Sequence, residues 1–394
     1  MTRPAVIIGL GGTGQQVVLS LKKDLLEIGK GKMPEEVRLL AFDSAGRIAP
    51  QEGVELEHEI EYFQVGDALY DLVRGIRDDK VNERNSAPAA LSHLHWFPAE
   101  EALRLGMAAL NTKIGCGAYR PLGRLSLFNK VGPVVDKIRG AINAAGQYAH
   151  GSRANAQNSN LLEILVVSSL AGGTGAGMFV DIGWLVRHIA ERAMQERYVL
   201  RGFFLLPSGF DAGDAGATQS REGRGFAAWR ELDRALLGSG RNKIVYKPAD
   251  AGLNVSIDSV CYDVSYLLDP RRETYPLQAR PEEGIFPAIA HGMSLMLDKG
   301  SGNNFTEFWS NVFMNIKAEN PGVYHSAFGC YTLKVPVYAT EALFAQSLAI
   351  DTLDALLKPR LNEGIFAGLA ENQNLEKPAG WRNGQWSDDR GRYH

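Results

Sequence analysis

Two clusters of glycine each follow a short hydrophobic run, and both have the composition of an anion-binding turn. The first cluster, GLGGTGQQ, spans residues 9–16 behind AVII, and the second, AGGTGAG, spans residues 171–177 behind LLEILVVSSL. Glycine lets the backbone approach a ligand closely, and a helix N-terminus offers free N–H groups and a partial positive charge. The Thr174 hydroxyl adds a group that could bond a phosphate oxygen or lie near a metal. We therefore expect these turns to bind phosphate.

Neither cluster alone identifies the phosphate compound. The first is as compatible with a dinucleotide-binding turn as with all other interpretations. Asp43, however, lies farther along the chain than the roughly 20 residues usual for an acidic ribose contact. No Gly-Lys-Ser/Thr sequence follows either cluster, which excludes a P-loop.

The elements around the clusters predict a parallel α/β sheet. Residues 5–8 read as a buried strand, and Val18, Leu21, Leu25 and Ile28 then repeat with helical spacing before Gly29. A second strand over 37–42 follows, and the order strand, helix, strand implies a right-handed parallel unit. Further strands are predicted at 161–170 and 199–207, and the helix after them places Phe226, Trp229, Leu232 and Leu236 on one face.

Composition excludes several functional classes. The 394-residue chain has a net charge of −3, without the basic surplus of a nucleic-acid-binding protein. Cys116, Cys261 and Cys330 are odd in number and lack metal-ligand spacing, which favours free thiols in a reducing cytoplasm. No run reaches about 18 apolar residues, and the first glycines come too early for a signal peptide. We expect a cytoplasmic protein with no membrane span.

The order of these loops resembles that of the tubulin/FtsZ superfamily. Residues 171–177 are similar to its GGGTG(S/T)G phosphate loop, with alanine first. Residues 9–16 resemble GVGGGGGN, with Gln16 where the family has asparagine, and Asp43 matches the acidic residue of the next loop. Residues 115–124, GCGAYRPLGR, fit the pattern GxGAxxPxxGR closely.

A fifth loop extends the resemblance to about residues 5–237. The segment GFDAG at 209–213 resembles the FEG ribose loop, with Asp211 in place of glutamate and Arg221 as the arginine that follows. The long excursion at about 50–110 is more typical of divergent bacterial tubulin-like proteins than of a division FtsZ.

The resemblance implies an α/β fold of tubulin/FtsZ type that binds GTP or GDP with Mg²⁺. We expect a nucleotide-binding domain at 1–221, a central helix at 222–238, a second α/β domain at 239–370, and a polar tail or truncated start of a further region at 371–394. It implies metal contacts from Asp43 and Thr174. It implies nucleotide contacts from Gly11, Gly12, Thr13, Gly14, Gln16, Asp43, Gly117, Ala118, Gly172, Gly173, Thr174, Gly175, Ala176, Gly177, Asp211, Arg221 and Arg224.

The chain departs from the family at two functional positions. In the family, an asparagine or aspartate of the central helix recognises guanine, and Arg224 aligns near that position. The choice between guanine and adenine therefore stays open. The catalytic loop NxDxxD has no clean copy. Asp258 lies in a partial match, and Glu282 and Glu283 begin the following helix, where acidic residues also commonly complement the helix dipole.

Three functions remain open at this point. The first is a GTPase that assembles with copies of itself into filaments and hydrolyses GTP at the subunit contact. The second is a tubulin-fold scaffold or switch that binds nucleotide with little hydrolysis inside a larger assembly with partner proteins. The third, a dinucleotide-dependent oxidoreductase, leaves AGGTGAG unexplained.

Overall fold

The computed structural model describes residues 2–151, 160–210, 215–237, 243–256, 260–269, 284–300, 325–327, 343–354, 381–382 and 385–386. The chain divides into two compact units, Met1–Tyr331 and Thr332–His394. Its strands are β1 (Ala5–Leu10), β2 (Val37–Asp43), β3 (Tyr62–Gln64), β4 (Leu162–Ser169), β5 (Tyr198–Leu205), β6 (Lys243–Val245), β7 (Asn254–Ser256), β8 (Val264–Leu268), β9 (His325–Ser326), β10 (Trp381–Arg382) and β11 (Gln385–Trp386).

A parallel sheet forms the centre of the first unit. Within the described residues it has seven strands in the order β3-β2-β1-β4-β5-β8-β9, and every pairing in it is parallel. Every residue of β1 and β4 is buried, as expected for continuous apolar strands covered on both faces. The predicted parallel α/β fold is confirmed.

Helices cover both faces of this sheet. They are α1 (Gly11–Ile28), α2 (Tyr70–Arg84), α3 (Ala99–Arg104), α4 (Arg120–Asn129), α5 (Val131–Gly146), α6 (Thr174–Met194), α7 (Ala215–Leu236) and α8 (Ile285–Leu297). Short 3-10 turns lie at Ser92–Leu94, Thr112–Ile114, Pro207–Gly209 and Ala251–Leu253. Helices α1 and α8 pack on one face with Ile7 and Val167, whereas α4, α5 and α6 pack on the other with Ile8 and Val166.

Two predicted helix faces are wrong in part. In α7 the buried residues include Ala228, Leu232 and Ala235, while Phe226 is 58% exposed and Trp229 is 37% exposed. Small residues lie against the core there, so the helix is rotated away from the face that its aromatic residues suggested. In α1 the predicted apolar face is buried except at Ile28, the last helical residue, which is 70% exposed.

The sheet changes direction of growth at β1. From β1 the chain adds β2 and then β3 on one side, and it later adds β4 and β5 on the other. In open α/β sheets, ligands bind in the crevice beyond the carboxyl ends of the strands at such a switch point. Both glycine clusters follow the two strands that meet here, because β1 ends at Leu10 and β4 ends at Ser169.

The predicted excursion and domain boundaries fall on the following elements. The excursion at 50–110 contains β3, α2 and α3, and β3 extends the sheet beyond β2. The boundary expected at 238/239 lies between α7 and β6, yet β8 beyond it pairs with β5 in the central sheet. In the second unit, residues 343–354 are helical, and β10 pairs antiparallel with β11 within the expected tail. None of the helices in the described ranges has the length and apolar content needed to cross a lipid bilayer.

A buried charge cluster ties the start of the chain to β4 and β5. Glu163 is 2% exposed, and it accepts a hydrogen bond from Arg3 Nη1 at 3.2 Å and from Arg201 Nε at 2.9 Å. Arg3 and Arg201 are themselves 7% and 4% exposed. Burial by itself would lower the pKa of the Arg201 guanidinium, but the neighbouring Glu163 carboxylate raises it above its ordinary value.

Candidate functional site

The two glycine turns lie in contact with each other. A Cβ built on Gly11 would lie 2.9 Å from the backbone nitrogen of Gly175, and one built on Gly175 would lie 2.6 Å from the carbonyl oxygen of Leu10. Gly11 also has a φ of +68°, a conformation that favours glycine. Any larger residue at either position would push the two turns apart.

A third loop, residues 115–118, packs against the second glycine turn. A Cβ on Gly173 would lie 2.9 Å from the backbone nitrogen of Ala118. The helix that follows this loop is held equally close, because a Cβ on Gly123 would lie 2.4 Å from the carbonyl oxygen of Gly173. The similarity at 115–124 therefore corresponds to a segment whose glycines allow α4 to approach the N-terminus of α6.

Three other glycines face open space at the same place. A Cβ on Gly117 or Gly172 would meet nothing within 4 Å, and one on Gly12 would meet only Asp43 Oδ2, at 3.9 Å. Because the second glycine turn touches both the first turn and the third loop, these glycines border one space, which we call the glycine crevice. At these three positions the chain presents only backbone atoms to the crevice, because glycine has no side chain.

Both helices that begin at the glycine crevice lack a side-chain cap. In neither α1, which begins at Gly11, nor α6, which begins at Thr174, do the first N–H groups donate a hydrogen bond to an N-cap side chain. Uncapped N–H groups and the positive end of the helix dipole together favour an anion. The crevice thus has two helix N-termini directed at a backbone-lined space, an arrangement that fits the phosphates of a nucleotide.

A cluster of polar side chains adjoins the crevice. Asp43 accepts a hydrogen bond at 2.7 Å from Gln15 Nε2, and Thr174 Oγ1 lies 2.6 Å from Ser44 Oγ. The thiol of Cys116 donates to Ser44 Oγ at 3.3 Å. All five side chains are buried, so the cluster connects β2, α1, α6 and the third loop behind the crevice.

The side chain that donates to Asp43 is that of Gln15, which sequence reasoning did not single out. The Gln16 side chain accepts a hydrogen bond from Gln51 Nε2 at 2.7 Å. Sequence reasoning also missed Ser44 and Cys116 as neighbours of Thr174. The position of Ser44 directly after Asp43 was an available signal, but nothing in the sequence indicated the contact of Cys116.

Burial raises the pKa of the Asp43 carboxyl above its ordinary value, although hydrogen bonds from Gln15 and the Ala45 backbone oppose that rise. A cation placed beside this carboxyl would favour its ionised form. Among the described residues, no group of three histidine, cysteine or acidic side chains could hold a metal by itself.

Of the remaining predicted site residues, the two that the structure describes, Arg221 and Arg224, have hydrogen bonds to residues outside the crevice. Arg221 Nη1 donates to the carbonyl oxygen of Phe210 at 2.6 Å, and Arg224 Nη1 donates to Ser220 Oγ at 2.6 Å. The other predicted residues, Asp211, Asp258, Glu282 and Glu283, lie outside the described residues.

We expect the two described thiols to react slowly in the native protein. Burial raises the pKa of Cys116, and it raises the pKa of Cys261 to about 12. Because the thiolate is the reactive form, a raised pKa leaves less of it at pH 8, and we expect reaction with Ellman's reagent at least ~10-fold slower than that of free cysteine.

The reaction is measured in the Cys330→Ser variant, because Cys330 lies outside the described residues. Two thiols per chain should become reactive only after denaturation in guanidinium chloride. A thiol that reacts at the rate of free cysteine in the native variant would contradict the buried placement of Cys116 or Cys261.

A family model described as "Tubulin like" matches residues 6–354. A search of curated proteins finds no match. Solved structures with a similar fold include CetZ2 from Haloferax volcanii in a GTPγS-bound protofilament, with 15% identity, a TM-score of 0.39, and coverage of 75% of this chain and 59% of that one.

Two further structures show the same level of similarity. CetZ from Methanosaeta thermophila has 11% identity and a TM-score of 0.40, over 79% of this chain and 60% of that one. The empty FtsZ dimer from M. jannaschii has 13% identity and a TM-score of 0.35, over 76% of this chain and 56% of that one. The chain thus spans about 60% of the length of the first of these structures.

Proposed function

Because this chain belongs to the tubulin-like family, we propose that it binds GTP and GDP in the glycine crevice. We further propose that copies of the chain assemble into filaments through longitudinal contacts, and that GTP is hydrolysed at the contact between subunits. The single observation that carries the proposal is the meeting of two uncapped helix N-termini between glycine turns at the switch point of the sheet.

The backbone of the crevice supplies the phosphate contacts. The N–H groups at Gly12, Thr13 and Gly14 begin α1, and those from Gly172 to Ala176 surround the start of α6. These groups hold phosphate oxygens without a side-chain charge, which is the usual mode at helix N-termini. The Cβ-free positions Gly12, Gly117 and Gly172 leave the phosphates room to lie against the backbone.

Two side chains behind the crevice would hold Mg²⁺ together with the phosphates. Asp43 offers a carboxylate whose ionised form a cation would stabilise, and Thr174 offers a hydroxyl already placed by Ser44. Both are oxygen ligands, which Mg²⁺ prefers. When bound, the ion offsets the charge of the phosphates in metal-assisted transfer of a phosphoryl group to water.

The candidates for orienting the attacking water are Glu282, Glu283 and Asp258. In the family mechanism such an acid enters the site of the neighbouring subunit, so hydrolysis depends on assembly. No residue of the chain needs to act as a covalent nucleophile, because positioning and charge stabilisation supply most of the catalysis of phosphoryl transfer.

A second candidate function is a nucleotide-binding scaffold or switch with little hydrolysis. Two features favour it: the chain lacks a clean NxDxxD loop, and Arg224 occupies the region where the family reads guanine. In the structure, Arg224 is occupied with Ser220 on its own helix. Such a protein would bind nucleotide as a structural ligand and act with partner proteins in a larger assembly.

Right-angle light scattering with simultaneous phosphate release separates the two candidates. The purified chain is mixed with Mg²⁺ and GTP, ATP or no nucleotide. We expect scattering to rise with GTP and to decay as phosphate appears. Bound GTP without scattering or phosphate would favour the scaffold, and a response to ATP alone would show that the purine is adenine.

Variants of the candidate acids then test the site of hydrolysis. We expect Glu283→Gln or Glu282→Gln to prolong scattering and slow phosphate release without loss of GTP binding. Hydrolysis at the unchanged rate in both variants and in Asp258→Asn would remove these residues from the proposal.

A further inference from the structure

A second concave site lies between α4, α6 and α7, outside the glycine crevice. It is a pocket of about 370 Å³, within the range of sites that bind small organic molecules. Much of its wall is aromatic or aliphatic, with Trp96, Phe179, Val180 and Trp184 among the lining residues. Such walls favour a flat apolar body rather than a sugar or a phosphate.

The charges of this pocket leave one positive group available. Arg124 Nε and Nη2 donate to the two carboxylate oxygens of Asp181, at 2.8 and 3.1 Å. Arg120 forms an ion pair with Glu231. Arg234 also lines the pocket and is exposed, and among the described residues it has no ion pair or hydrogen bond. The pocket therefore favours a ligand with one negative group.

Two buried donors in the walls lack an acceptor. The indole N–H groups of Trp96 and Trp184 have no hydrogen-bond partner among the described residues, although buried N–H groups usually have one. Uncompensated donors beside an apolar space are a second indication of a polar ligand group.

We propose that this pocket binds an aromatic anion, with its ring system among the apolar walls and its carboxylate or sulfonate group at Arg234. Aromatic surfaces and a nearby arginine together match both halves of such a ligand. The site is separate from nucleotide binding, so the proposal stands whether or not the chain binds GTP.

The start of α6 forms part of the pocket wall. Gly177 lines the pocket, and Arg120 Nε donates to the carbonyl oxygen of Ala176 at 3.0 Å. Ala176 and Gly177 belong to the first turn of α6, the helix that begins at the glycine crevice. An aromatic anion in the pocket therefore contacts the helix on which phosphate binding is proposed to depend.

Titration with 8-anilinonaphthalene-1-sulfonate tests the proposal, without nucleotide. This probe is an aromatic sulfonate whose fluorescence rises in an apolar site. We expect one saturable site on the wild-type chain, with a Kd raised ~10-fold by Arg234→Gln, the change expected for loss of ~1.4 kcal/mol. Val180→Trp, which fills the pocket, should remove the saturable site.

The matched control is Arg230→Gln, the same change of charge on the same helix. Arg230 lies near Phe226 and does not line the pocket, so its substitution should leave the Kd unchanged. The uncharged analogue N-phenyl-1-naphthylamine should bind with the same affinity to wild type and Arg234→Gln. Thermal unfolding confirms that each variant is folded.

Equal probe binding by wild type, Arg234→Gln and Val180→Trp would overturn the proposal, because the probe would then lie on another apolar surface. Equal weakening by Arg234→Gln and Arg230→Gln would also overturn it, since that result indicates a general effect of net charge. A competing acidic peptide that displaces the probe, while 1-naphthoate does not, would replace the small aromatic anion with a protein partner.

Discussion

Replacing Gly172 by valine is expected to lower the affinity for GTP by at least about 100-fold, a loss of roughly 2.7 kcal/mol, while leaving the fold intact. A Cβ at Gly172 meets nothing within 4 Å, and its φ lies outside the range that favours glycine. The new side chain therefore creates no clash in the protein itself. Its two methyl groups would occupy the space where phosphate is proposed to lie against the backbone.

Two comparisons make this result specific. Gly140→Val is the matched control, because a Cβ there also meets nothing within 4 Å, but the residue lies on α5. Gly175→Val is the opposite case, since its Cβ would lie 2.5 Å from Ser168 Oγ and should destabilise the fold.

Affinity is measured by isothermal titration with GTP and Mg²⁺, and folding by circular dichroism. GTP binding to Gly172→Val with wild-type affinity would place the nucleotide elsewhere, or show that the chain does not use the glycine crevice.

The turns of the candidate site were predictable because their signals are local. A buried strand, a glycine cluster and a helical repeat follow one another over residues 5–28, at β1 and α1, and again over residues 162–194, at β4 and α6. The resemblance supplied the third loop at 115–118. The contact of Gly11 with Gly175 follows from the strand order, which places β1 beside β4.

Details that depend on helix rotation were not predictable. Gln15 and Gln16 are adjacent polar residues, and only the packing of α1 decides that Gln15 reaches Asp43. In the same way, the aromatic residues of α7 suggested that the buried face contains Phe226 and Trp229. The face that is buried contains Ala228 and Ala235 instead. Periodicity shows that a helix has an apolar side, whereas close approach to a neighbouring helix selects small residues for the contact.

Replacing Glu163 by glutamine is expected to lower the free energy of unfolding by about 3–5 kcal/mol, the usual cost of removing one partner from a buried ion pair. Its carboxylate is shared between Arg3 and Arg201, and all three side chains are at most 8% exposed. Glutamine has nearly the same shape but no charge. Two buried guanidinium groups would then lose the negative charge that stabilises them in the interior.

The effect extends beyond one contact because of where the cluster lies. Glu163 is the second residue of β4, and its backbone N–H donates to the carbonyl oxygen of Pro4 just before β1. Arg201 lies on β5, so the carboxylate links three neighbouring segments of the sheet. Loss of the charge weakens the end of the sheet opposite the glycine crevice. The affinity for GTP should therefore change little under conditions in which the variant is fully folded.

Glu59→Gln provides the matched control for this prediction. Glu59 pairs with Lys137 at 3.4 Å, but its side chain is 58% exposed, so the same substitution should cost at most about 1 kcal/mol. Unfolding in urea, followed by circular dichroism, gives the free energy for wild type and both variants. Similar values for Glu163→Gln and Glu59→Gln would mean that water or backbone groups satisfy Arg3 and Arg201 without the carboxylate, and that the charge cluster is not what holds β1, β4 and β5 together at this end.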